Sequence, residues 1–140
     1  MLLHIVARGK IGRCPEAELV ERYLKRISWP TKGTELPDTG GREPPQDGFA
    51  RRVVLDEKGK AMGSMDFAQL LGRWRDEGVR EVRFLIGAAD GFDDAARGQA
   101  DLLYAFGKAT WPHMLARAML TEQLFRATAI LAGHPYHREG

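Results

Sequence analysis

A single cysteine, Cys14, stands among the 140 residues. The chain therefore has no intrachain disulfide and no multi-cysteine zinc site, and it fits a reducing compartment. Long apolar runs are missing too: nothing approaches the roughly 18 consecutive apolar residues of a membrane span, and 29% of residues are charged. The start MLLHIVARGK has no secretory layout, so a cytoplasmic protein without a membrane partner is expected. Charge of one sign is scarce as well. Lys+Arg number 21 and Asp+Glu 19, a net +2 that does not by itself point to nucleic acid. No GxxxxGK[ST] or HExxH occurs, no GxGxxG opens a helix after the first strand, and there is neither a paired CxxC nor a GxSxG elbow. Triphosphate, metal and covalent-nucleophile chemistry thus have no motif behind them.

What is present is one core's worth of hydrophobic residues, 44%, which predicts a single domain over residues 1–140. Leu2 to Ala7 is a nearly continuous apolar run and predicts a buried strand. Pro15 suits a first helical turn, and Ala17, Val20, Leu24 and Ile27 recur at helical spacing before Pro30. Thr31 to Pro37 predicts a second strand, and Asp38 to Asp47, with Gly40, Gly41, Pro44 and Pro45, an exposed loop. Arg51 to Asp56 predicts a third strand. Ser64 is the expected N-cap of a helix that buries Phe67, Leu70, Leu71 and Trp74 and ends at Gly78. Val82 to Ile86 and Leu102 to Phe106 are further strands, with a short helix over Asp93 to Gln99 between them. A long helix follows from about Met114 to Ala132. Strands alternating with helices predict an α/β fold with a parallel sheet.

The long helix has two apolar faces, Ala116, Leu120, Leu124, Ala127 and Leu131 on one side and Leu115, Met119 and Ile130 on the other. One sheet cannot bury both, which points to a second subunit, the alternative being a helix sunk in a monomer core. Ligands of open α/β sheets bind at the carboxyl ends of strands. The small-residue turn Gly87 to Gly91 and the turn Gly107 to Pro112 are placed for that, although glycines after strands also serve as plain turns. Glu122 and Arg126, four apart in the favourable order, read equally as a helix-stabilising pair or a functional one. The tail His134-Pro135-Tyr136-His137-Arg138 sets two imidazoles, a phenol and a guanidinium in five residues. Stiffened by Pro135, it is expected to fold back as a lid over the active site.

Leu85 to Gly91 (LIGAADG), Thr110-Trp111-Pro112-His113, the segment Thr121 to Ala127 and above all HPYHRE at His134 to Glu139 resemble the ribosomal large subunit methyltransferase H family of SPOUT methyltransferases. The resemblance covers the N-terminal strand and helix and nearly everything after Val53. It implies a parallel-sheet α/β homodimer with a C-terminal trefoil knot, an arrangement outside the usual rule against threaded chains. The implied activity is methyl transfer from S-adenosyl-L-methionine to N3 of a pseudouridine in 23S rRNA of the assembled ribosome. Carried onto this chain, the methyl donor would lie against Leu55, Gly87, Ala88 and the loop of Gly107, Lys108, Ala109, Thr110, Trp111 and Pro112. Glu122, Arg126, Tyr136, His137 and Arg138 would surround the target base. His137 is of the residue type that exchanges a proton near neutrality, and it is the expected base, with bulk water as its rival. Arg126 and Arg138 would hold phosphate or the developing oxyanion.

Three departures accompany the resemblance. The family's Gly-Gly-Pro-x-Gly is Gly87-Ala88-Ala89-Asp90-Gly91 here, a basic helical segment between the second and third strands is replaced by the loop Gly40 to Gly48, and Trp111 stands where a small aliphatic residue is usual. They leave a second function open: a non-catalytic dimer that binds RNA or ribosomes, with or without the donor.

Overall fold

The structure, a computed structural model, describes residues 1–46, 48–87 and 92–138. The elements in chain order are β1 (Leu2–Arg8), α1 (Pro15–Arg26), β2 (Thr31–Leu36), β3 (Ala50–Ala61), α2 (Ser64–Asp76), β4 (Glu81–Ile86), α3 (Asp94–Gly98), β5 (Leu102–Ala105) and α4 (His113–Leu131). The strands form one sheet in the order β2-β1-β4-β3-β5, and every pairing is parallel. The α/β expectation is met.

The apolar runs of β1 and β4 follow from their central position, since a parallel sheet is covered on both faces. All of β4 is buried. Leu3, Ile5, Val53, Val82 and Phe84 face the helices and join Phe67, Leu71, Leu120 and Leu124 in the core, each such side chain contributing about 1.5–3 kcal/mol by burial. Strand alternation sends His4, Val6, Val54, Arg83 and Leu85 to the opposite face, where they too are buried. At Arg52 and Arg83 that face meets Glu43, Pro44 and Pro45 of the segment between β2 and β3. Arg83 donates to the Pro44 carbonyl at 2.6 Å and to the Pro45 carbonyl at 3.3 Å, and Glu43 accepts two bonds from Arg52 at 2.9 and 3.0 Å. The loop expected to be merely exposed is thus pinned to the sheet by two arginines.

β3 runs further than Arg51 to Asp56. Leu55 pairs with Tyr104, residues 56–59 leave the ladder, and Lys60 and Ala61 resume pairing with Tyr104 and Ala105. The excursion passes so close to β5 that a Cβ on Gly59 would lie 2.6 Å from the Leu103 carbonyl carbon, so only glycine fits. The α2 cap also differs from expectation: Gly63 is the N-cap. Ser64 opens the helix, and its hydroxyl donates to Gln123 Oε1 of α4 at 2.8 Å, because that partner competes successfully with the backbone amides a cap would satisfy.

α4 packs between α1 and α2. Leu120, Leu124 and Ala127 are buried, whereas Leu115, Met119 and Ile130 are covered only in part. No residue of α1 is fully buried despite its apolar stripe. The second face of α4 and much of α1 therefore stay partly open to solvent in the single chain.

Candidate functional site

The carboxyl ends of β3, β4 and β5 open into a cavity of ≈ 580 Å³, within the range of about 300–1,000 Å³ that small-molecule sites occupy. Leu55, Ile86, Gly87, Tyr104, Ala105 and Phe106 come from strand ends, and Ala109, Thr110, Trp111, Pro112, His113 and Ala116 from the next loop and the start of α4. The two walls are tied together at the excursion from β3, where the Thr110 hydroxyl donates to Glu57. Its other acid, Asp56, is nearly buried and accepts from Arg97 Nε of α3 at 2.6 Å and from the Lys58 amide at 2.9 Å. Burial alone would raise the Asp56 pKa, but those bonds outweigh it and hold the carboxyl below its ordinary value.

Of the residues assigned to the donor by resemblance, Leu55, Gly87, Ala109, Thr110, Trp111 and Pro112 line this cavity. Gly107 and Lys108 belong to the same loop but are not among the lining residues. Gly107 acts through its backbone, at φ +103°, a conformation that side chains resist. Ala88 and the rest of the altered turn to Gly91 lie outside the described residues, as does Glu139. The sequence reading did not single out Asp56, Arg97, Tyr104 or His113. The acidic pair Asp56-Glu57 directly after a strand was the one available signal; Arg97 reaches the cavity only through tertiary packing.

A second group of polar side chains lies along α4. Arg126 contacts Glu122 Oε1 through Nη2 at 2.6 Å and Nε at 2.8 Å, and the Tyr136 hydroxyl donates to the same oxygen at 3.1 Å. Arg126 also lies 4.7 Å over the Tyr136 ring, and Tyr136 packs edge-on against Phe125 at 4.6 Å. Burial and then the Glu122 charge push the Tyr136 phenol up to about 12, so it is a donor at neutral pH. Arg126 Nη1 lies 3.0 Å from His137 Nδ1. A guanidinium only donates, so Nδ1 is the acceptor in this contact. Arg138 is exposed.

Four of the five residues assigned to the target base are thus brought together, but none of the five lines the cavity. Glu122 follows Ala116, the last lining residue of α4, by six positions, about 9 Å along the helix axis. The tail does fold back, as expected, yet against α4 rather than as a lid, because Tyr136 buries its ring on Phe125 and Arg126. Tyr104 links the two regions. Its ring lines the cavity, and burial and then the Glu122 charge push its phenol up.

Among the described residues no helix is long and apolar enough to cross a membrane, and no group of three or more His, Cys, Asp or Glu is placed to hold a metal. Comparison with known proteins adds the following. A sequence family described as "Predicted SPOUT methyltransferase" matches residues 1–137. A protein of Rhizorhabdus wittichii named ribosomal RNA large subunit methyltransferase H is 76% identical over 140 residues, covering all of both chains. One of the same name from Novosphingobium aromaticivorans is 70% identical over 141 residues, again over all of both. A third, from Paramagnetospirillum magneticum, is 48% identical over 152 aligned positions and 99% of each chain.

Proposed function

The chain belongs to the SPOUT methyltransferase family, and from that premise we propose that it methylates N3 of a pseudouridine in 23S rRNA of the assembled ribosome. S-adenosyl-L-methionine is the donor, and the working unit is a cytoplasmic homodimer of a single trefoil-knotted domain over residues 1–140. The observation that carries this reading is the cavity at the carboxyl ends of β3, β4 and β5, walled by the Gly107 to Pro112 loop. Its fit to the donor rests on residue chemistry. Leu55, Ile86, Phe106 and Trp111 supply apolar and aromatic surface for a nucleoside, and Asp56, Glu57 and Arg97 supply charge for a zwitterion. Once bound, S-adenosyl-L-methionine supplies an electrophilic methyl group on a sulfonium.

Transfer to N3 also requires loss of the proton between two carbonyls. The residues of α4 and the tail serve this by stabilising the anion: Arg126 and Arg138 are donors suited to the carbonyl oxygens or to phosphate. Glu122 holds Arg126 and Tyr136 in place, and His137, with solvent as its rival, takes the proton. Within one chain that group stands away from the cavity, and the partly open faces of α1 and α4 support a dimer in which one protomer's polar group meets its partner's cavity.

The deciding experiment is a methyl-transfer assay on assembled ribosomes that lack the modification, with the position read by nuclease mapping and mass spectrometry. Incorporation at N3 of a single pseudouridine is expected. Donor binding with no incorporation would leave the non-catalytic dimer instead.

A further inference from the structure

We propose that Arg97, braced by Asp56, receives the carboxylate of the donor's amino-acid end and so fixes which way the donor lies in the cavity. This inference rests on the reading of that cavity as the donor site. Among its described lining residues, Arg97 is the only one with a permanent positive charge. Its Nε is committed to Asp56 Oδ2 at 2.6 Å. Asp56 is itself fixed, with a side chain only 4% exposed and its other oxygen accepting from the Lys58 amide. The guanidinium is thereby gripped by one edge. Of its remaining nitrogens, Nη1 reaches only the fully exposed Asp94 at 3.3 Å, a contact that a buried ligand displaces at little expense, and Nη2 has no hydrogen bond to another described residue. A planar fork in a cleft whose outer edge, among the described residues, is held only by that exposed aspartate is the geometry that takes a carboxylate through two charge-assisted bonds.

The rest of the wall sets the direction. Trp111, Phe106 and Ile86 offer aromatic and apolar surface, while Asp56, Glu57 and Arg97 gather the charge at the excursion from β3 and at α3. An adenosine therefore lies on the apolar side and the α-amino acid at Arg97, with Glu57 beside it for the ammonium. Asp56 is a positioning residue that acts through Arg97.

The test compares two nucleosides by calorimetry on the intact protein. S-adenosylhomocysteine carries the amino-acid end, and 5′-methylthioadenosine is the same thioether nucleoside without it. Wild type is expected to bind the former more tightly. Arg97→Met should weaken S-adenosylhomocysteine roughly 10- to 100-fold and change 5′-methylthioadenosine by less than about threefold. Asp56→Asn should act in the same direction but less, a selectivity loss that a merely structural role would not produce. Arg97→Lys keeps the charge without the fork; it should recover part of the selectivity, and it serves as the readout if the Met variant does not fold. Equal weakening of both ligands in the Arg97 and Asp56 variants would overturn the inference. Wild type binding both equally would overturn it while leaving the donor cavity in place, and wild type binding neither would overturn the donor cavity and this inference with it.

Discussion

The Tyr136 hydroxyl donates to Glu122 Oε1 at 3.1 Å although fourteen residues separate the two, and the same oxygen accepts from Arg126. One carboxylate of α4 thus organises both its own helix neighbour and the chain's last turn. The tail is held by this bond, by the edge-on contact of Tyr136 with Phe125 and by the contact of His137 with Arg126, rather than by an apolar stripe of its own.

Tyr136→Phe removes the hydroxyl and keeps the ring. It should destabilise by about 1 kcal/mol, the usual net worth of such a bond, and leave S-adenosylhomocysteine affinity within about twofold. Glu122→Gln frees Arg126 and is expected to slow methyl transfer by roughly 100-fold or more with the same unchanged affinity. Thermal melts, calorimetry and single-turnover assays check the two together; lost affinity in Glu122→Gln would show that the polar group shapes the cavity.

Trp111 is 41% exposed while lining the cavity, so Trp111→Ala should leave the melting temperature nearly unchanged and weaken S-adenosylhomocysteine about 10-fold through lost stacking area. Gly107 is expected to behave in the opposite way. At φ +103° with nothing within 4 Å of an added Cβ, Gly107→Ala meets no clash but strains the backbone by about 1 kcal/mol or more, lowering thermal stability first. Calorimetric titration beside differential scanning calorimetry separates these outcomes.

Met119 and Leu115 lie on the partly covered face of α4. Met119→Lys should convert the dimer to a folded monomer, seen by sedimentation velocity at micromolar concentration with circular dichroism unchanged, and should abolish methyl transfer if the site is completed by two protomers. A monomeric wild type would end that reading.

The Glu43 carboxyl is held below its ordinary value, first by its bonds from Arg52, which outweigh burial, and further by Arg83. A depressed folded-state pKa contributes stability above the unfolded value, 4.5, and this is lost as pH falls through the lower folded value. Wild type should therefore lose stability below about pH 4.5 more steeply than Glu43→Gln. At neutral pH that variant should be less stable by roughly 1–3 kcal/mol, since Arg83 and Arg52 lose a charged acceptor. Urea unfolding at several pH values, with hydrogen exchange over residues 49–53, provides the check.

The strands, the helices and the parallel sheet were legible in the sequence because each rests on a local signal: the apolar runs of β1 and β4, Pro15 before α1, and Gly78 after α2. β3 was read short because its excursion, Asp56-Glu57-Lys58-Gly59, has the composition of a turn, and only pairing with β5 brings Lys60 and Ala61 back into the sheet. The Ser64 hydroxyl likewise had a local partner on paper and found a distant one in Gln123. Of the cavity, Gly87 and the loop from Gly107 to Pro112 were legible as small-residue turns after strands. Its charged wall was not, since Arg97 and Asp56 are 41 positions apart and meet through a single ion pair between α3 and β3. The sequence by itself determined the order and type of the elements, through apolar periodicities, prolines and glycines that a chain holds before it folds. Tertiary structure alone decided that the polar group of α4 and the tail stands apart from the cavity within one chain, because the tail's partners, Glu122 and Phe125, lie further along α4 than the residues that line the cavity.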